Sequence, residues 1–260
     1  MKNMACFSIA ALALLLTSTS AWAQDTTERV AEVPQTQAAP PAKQPGIKTF
    51  FKDLYGDVKH LPSKGNAITA GIGGGLALAA HPWDDDVNRR LVGNTSAERF
   101  FKPGQVLGQF PTLITAAGTV YAVGRIGDQP KTAHVGMDLI QSLIVSEGIV
   151  QTLKFVTRRE RPDHSGHNSF PSGHAADTFA FATALERHLQ WRAVIPVYAF
   201  AGYVAVSRLP ANRHWLSDTV FGATVGIISG RTVTRHGRDF PVVVSPMPGG
   251  GVYVGYTRTR

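Results

Sequence analysis

The sequence predicts an all-α chain: a helical bundle of six to seven helices followed by a small C-terminal β-hairpin. Three observations lead there. Apolar residues recur at helical spacing from Phe50 to about residue 231, and no alternating apolar–polar stretch interrupts them. Only beyond Phe240 do two valine-rich runs, Val242-Val243-Val244 and Val252-Tyr253-Val254, flank a Pro/Gly-rich turn. The 260 residues fit one hydrophobic core rather than two.

Taken in order, the chain opens with Lys2, an apolar stretch Ile9–Leu16 and the small-x-small run Ala21-Trp22-Ala23. This reads as a cleavable signal peptide over residues 1–23, because the apolar run is short for a membrane anchor. Cleavage would leave about 237 residues and remove Cys6, the only cysteine, so the mature chain would carry no thiol. That suits an oxidising exterior, and the periplasm is the expected compartment, with the inner or outer membrane as the alternative. Residues 24–47, rich in Gln, Thr, Ala and Pro, read as a disordered linker.

A first domain helix follows from the spacing of Phe50, Phe51, Leu54, Tyr55, Val58 and Leu61, with core packing as its main role and contact with a membrane surface as the alternative. Further helices are expected near 66–80, 105–125, 134–160, 174–189, 191–206 and 213–231, giving a domain over 48–235 and a tail over 236–260. Uninterrupted apolar runs such as Ala67–Ala80, Thr112–Gly124 and Ala193–Val206 fall short of the roughly 18 residues a span needs. Asp138, Glu147 and Asp218 break the others, so the pattern favours core helices of a soluble bundle. Gly71–Ala80 and the 191–206 helix, apolar nearly all round, keep a membrane-embedded form as the competing reading.

The formal charge of +8 favours anionic substrates or anionic membrane surfaces. Basic residues are scattered without aromatic interleaving, which argues against nucleic acid as a partner. Asp84-Asp85-Asp86 has no second ligand cluster near it in sequence, so it reads as a polar loop rather than a metal site. A Walker-type loop is absent.

Chemistry concentrates in three clusters: Lys154-x6-Arg161-Pro162, Pro171-Ser172-Gly173-His174 and Ser207-Arg208-x5-His214-x3-Asp218. Lys154 and Arg161 lie seven apart, so both can project from one face of a helix that Pro162 ends. Arg161 and Arg208 offer planar forks for phosphate oxygens, and Lys154 adds a point charge. Arg158, Arg159 and Glu160 read as a solvated charge run. Ser172 and Gly173 open a helix whose free N–H groups form an anion site, with His174 in its first turn. His214 and Asp218, four apart on a helix starting near Asn212, would lie within hydrogen-bond reach. His164 and His167 flank the site, where contact with substrate and a polar loop lining the mouth explain them equally well.

These clusters resemble the signature of the type 2 phosphatidic acid phosphatase superfamily, which also includes bacterial class A acid phosphatases and vanadium-dependent haloperoxidases. The pattern is matched without departure from Lys154 to Asp218. The resemblance implies a helical bundle of that type and a phosphoric monoester hydrolase acting through a phosphohistidine. It implies His214 as nucleophile, Asp218 as its orienting group and His174 as acid and then base. It further implies that Lys154, Arg161, Ser172, Gly173 and Arg208 bind phosphate, and that neither metal nor other cofactor is needed. The partner is then a phosphate ester, either a lipid phosphate or pyrophosphate or a small soluble monoester. A vanadium-dependent haloperoxidase and a non-catalytic phosphate-binding protein are the competing functions. Chain length argues against the first, and the intact His174, His214 and Asp218 against the second.

Overall fold

The computed structural model describes residues 44–235, 242–246 and 252–256. The expected signal segment, Cys6 and most of the expected linker lie outside these residues. The linker's last residues are held firmly instead. Pro45 is buried and its carbonyl accepts from Tyr121 Oη at 2.9 Å, while Gln44 donates to Asp128 at 3.0 Å.

Nine α-helices occur among the described residues: α1 (Ile47–Lys59), α2 (Lys64–Ala80), α3 (Asp84–Leu91), α4 (Thr95–Leu107), α5 (Phe110–Ile126), α6 (Pro130–Thr157), α7 (Gly173–Glu186), α8 (Trp191–Ser207) and α9 (Leu216–Arg235). A 3-10 turn, His81–Trp83, joins α2 to α3. Strands β1 (Val242–Pro246) and β2 (Val252–Tyr256) pair antiparallel, with Val244 opposite Val254.

The all-α expectation holds, with two extra helices between residues 84 and 107. The supposed polar loop Asp84-Asp85-Asp86 is the first turn of α3, where carboxylates meet the positive end of the helix dipole. Asn94 caps α4 by accepting from Ala97 N–H at 3.0 Å. Instead of one helix over 105–125, the chain bends by 50° between α4 and α5. Pro111 in the first turn of α5 needs no N–H partner, so the new helix starts there without loss.

The core is built round α6, whose Leu139, Leu143, Val145 and Val150 are buried and which packs against α1, α5, α7 and α9. By length and composition α6 could also cross a membrane, and the bent pair α4–α5, counted as one, would be a second such segment. Asp138, which interrupts the apolar run within α6, is buried, and its carboxylate faces His188 Nε2 at 2.9 Å.

The most extensive contact is between α7 and α9. Alanines at 175, 176, 180, 182 and 184 line α7, and α9 answers with Gly222, Gly226 and Gly230 at four-residue intervals. A Cβ at Gly226 would collide with the Ala176 carbonyl oxygen and lie 2.7 Å from Ala180 N; one at Gly230 would lie 2.6 Å from Thr183 Cβ. Gly226→Ala should therefore destabilise the fold by about 1–3 kcal/mol, read as a lowered Tm. Gly75→Ala, where nothing lies within 4 Å, should leave Tm unchanged or slightly raised. Equal Tm values for the two variants would overturn this account of the seam.

Candidate active site

The site forms where the N-terminal ends of α7 and α9 meet the loop that follows α6. The peptide N–H of Ser172 donates to the Asp218 carbonyl at 3.0 Å, tying the two helix ends together. Ser172, wholly buried, caps α7 by accepting from Ala175 N–H. Beside it, a Cβ on Gly173 would lie 4.0 Å from Lys154 Nζ, so a lysine ammonium hangs over the first turn of α7. Both groups present positive potential to the same space.

Two arginines complete that wall. Arg161 does not share the helix of Lys154 as the seven-residue spacing suggested. α6 stops at Thr157, Arg158 takes a left-handed conformation at φ 46°, and Arg161 projects from the loop. Its peptide N–H is held by the Gly166 carbonyl at 2.9 Å. Arg208 follows α8 directly and is 9% exposed. The Nε atoms of both arginines are buried and meet no acceptor. Burial lowers the pKa of all three cations: Lys154 further under the charge of Arg161, Arg161 under that of Arg213, and Arg208, also facing Arg213 and Arg161, to about 10. Buried donors and crowded positive charge are costly unless an anion joins them.

The histidines stand at this wall with different partners. His174 lies 3.1 Å through Nε2 from the Gln105 carbonyl, near the α4–α5 bend. A carbonyl only accepts, so Nε2 carries the hydrogen and Nδ1 the lone pair. Burial first, and Arg208 second, bring its pKa down to about 3. His214 is 4% exposed and its Nδ1 donates to the Ser169 carbonyl at 2.6 Å, which leaves Nε2 as the free lone pair. Burial likewise lowers its pKa, with Asp218 pulling the other way.

The expected direct bond between His214 and Asp218 is not formed. α9 starts at Leu216, two residues after His214, and the Nδ1–Oδ2 distance is 3.8 Å. The fully buried Asp218 instead accepts from Ser169 Oγ, from Trp215 N–H at 2.9 Å and from Arg159 Nη1 at 2.6 Å. Arg159 is thus no solvated residue. It also donates to Ser217 Oγ at 2.7 Å and to the buried Asp84 at 2.8 Å. Sequence reasoning missed Arg159, Asp84, Ser169 and Ser217. The αL turn at Arg158 re-aims the chain, and Asp84 arrives from 75 residues away. His164 stays in its loop and meets Glu160 at 2.8 Å.

The PAP2 superfamily matches residues 135–240, a segment that contains all eight residues picked from the sequence. This segment is a PAP2 superfamily domain. Asp84 lies outside it. A lipid A 1-phosphatase from Porphyromonas gingivalis is 44% identical over 88 residues, covering 32% of this chain and 19% of the relative. The chain thus spans about a fifth of that relative's length. Two solved structures share the fold over more than half of this chain. LpxE of Aquifex aeolicus superposes with a TM-score of 0.51 at 21% identity, over 58% of this chain and 94% of that one. A transmembrane PAP2 type phosphatidylglycerolphosphate phosphatase from Bacillus subtilis gives 0.57 at 20% identity, over 66% and 96%.

Proposed function

We propose that the chain is a phosphatase that hydrolyses phosphate monoesters of lipids through a phosphohistidine on His214. The observation that carries this is the pair of buried, acceptor-less Nε donors of Arg161 and Arg208 beside Lys154 and the α7 N-terminus. A phosphoryl group spreads its charge over three oxygens, and this wall supplies donors for each. His214 Nε2 attacks phosphorus as the bond to the ester oxygen breaks, and His174, whose Nδ1 has taken a proton from the monoanionic ester on binding, gives that proton to the leaving oxygen. Water then attacks phosphorus, the P–N bond breaks back to His214, and His174 takes the water proton. Side-chain cations carry the charge of both steps, so no metal is called on.

A lipid ester is favoured over a soluble one by the surface and by the lipid A 1-phosphatase likeness. On α1, Ile47, Phe51, Tyr55 and Val58 form one exposed stripe, flanked by exposed Lys48, Lys52 and Lys59. On α2, Ile68, Ile72, Leu76 and Leu78 are exposed. An apolar stripe with a lysine margin suits a bilayer with anionic headgroups. The domain over 48–235 then works at a membrane, on the periplasmic side if residues 1–23 direct export.

One experiment tests this. Purified protein is floated with vesicles carrying a lipid phosphate, and inorganic phosphate release is measured with chelator present, with and without vanadate. Flotation, chelator-resistant release and competition by vanadate are expected. Hydrolysis of soluble monoesters alone would remove the lipid assignment, and activity lost to the chelator and restored by a divalent cation would remove the metal-free mechanism.

A further inference from the structure

Asp84 enters the site from α3, outside the PAP2 domain, and is 4% exposed. Its Oδ1 accepts from Ser217 N–H at 2.9 Å, and its Oδ2 from Ser217 Oγ at 2.7 Å, Arg159 Nη2 at 2.8 Å and His81 Nδ1 at 2.8 Å. Those contacts hold Asp84 below the usual carboxylate pKa against the opposing effect of burial. Arg159 is therefore gripped at one end. At its other Nη it meets Asp218, and its carbonyl accepts from Ser169 N–H at 3.0 Å. Ser169 in turn supplies the carbonyl that holds His214 Nδ1 and the hydroxyl that reaches Asp218. Both groups facing Nδ1 of His214 thus hang from one arginine.

We infer that Asp84 and Arg159 are positioning residues for His214: Asp84 locks the guanidinium, and the arginine fixes Asp218 and the Ser169 carbonyl so that Nε2 aims at phosphorus. The inference rests on His214 being the nucleophile. Charge-assisted bonds from the half-buried Arg159 to two buried carboxylates give the array its stiffness, because removing the arginine strands both charges.

The test uses the full chain with Asp84→Asn, Arg159→Lys and the double variant. Single-turnover phosphorylation of His214, vanadate affinity and thermal melting are measured for each. Either single variant should slow phosphorylation about 100-fold, the usual effect of misaiming a reacting group by about 1 Å. Vanadate affinity should stay within about twofold, since Lys154, Arg161 and Arg208 are untouched. The double variant should be no slower than the worse single one, because the two residues act as one device. Ser217→Ala guards against loss of folding. It keeps both charges in place, removes one hydroxyl bridge and should slow the step about tenfold. An unchanged rate in folded Ser217→Ala and Asp84→Asn, fully additive losses, or vanadate affinity falling in step with rate would each overturn the inference. Absence of any trapped phosphohistidine in the unmodified protein would instead overturn the nucleophile assignment, and this inference with it.

Discussion

His214→Ala should lower phosphate release at least about 10⁴-fold on every ester and leave no phosphorylated protein after a brief incubation with labelled substrate and an acid-free quench. The size follows from geometry. Its Nδ1 is committed to the Ser169 carbonyl, so Nε2 is the lone pair left to reach phosphorus. Burial lowers the pKa of the ring and so favours its neutral form, and a neutral imidazole is the nucleophilic one. Removing it leaves the anion wall intact, so vanadate should still bind. Label persisting in the variant, or label found on serine, would move the nucleophile elsewhere.

The second large effect is selective. His174→Ala should slow phosphorylation by alkyl phosphates about 10²–10⁴-fold, and by p-nitrophenyl phosphate far less, because a good leaving oxygen needs no proton in the transition state. Single-turnover rates are required, since His174 also activates water in the later step. In the free protein a pKa of about 3 keeps His174 neutral. The sign reverses as substrate binds: phosphate charge offsets Arg208 and raises the pKa, so the proton travels in with a monoanionic ester. Activity on alkyl phosphates should accordingly fall as pH rises through about 6, the second phosphate pKa. Equal losses on both esters would reduce His174 to a phosphate contact.

Much of this was legible in the chain. Helix periodicity marks the core helices from α5 onward because each buries an apolar face against a neighbouring helix, and the three motifs place all eight chosen residues at one junction. What escaped has a local cause. Spacing rules assume an unbroken helix, and at Arg158 and His214 the chain is not helical, so Lys154–Arg161 and His214–Asp218 were drawn as same-face pairs. Arg159 looked solvated because its acceptors, Asp84 and Asp218, lie 75 and 59 residues away. Asp84–Asp86 looked like a loop because three adjacent carboxylates carry no apolar period, although they suit a helix start.

The glycine ladder on α9 has a consequence for how the site can change. Gly222 is its first rung: a Cβ there would lie 2.5 Å from the Ser172 carbonyl oxygen, directly behind the phosphate wall. The spacing between the Ser172 and Asp218 ends of the site is therefore a main-chain dimension, set by how closely two helix axes approach. Rotamer changes cannot widen it. Variants that accept bulkier substrates should arise in the 158–171 loop and at the α4–α5 bend, where side chains form the boundary, while selection leaves the α7–α9 seam alone. A lesion at Gly222 would resemble a catalytic defect in assays, though the residue carries no reactive atom.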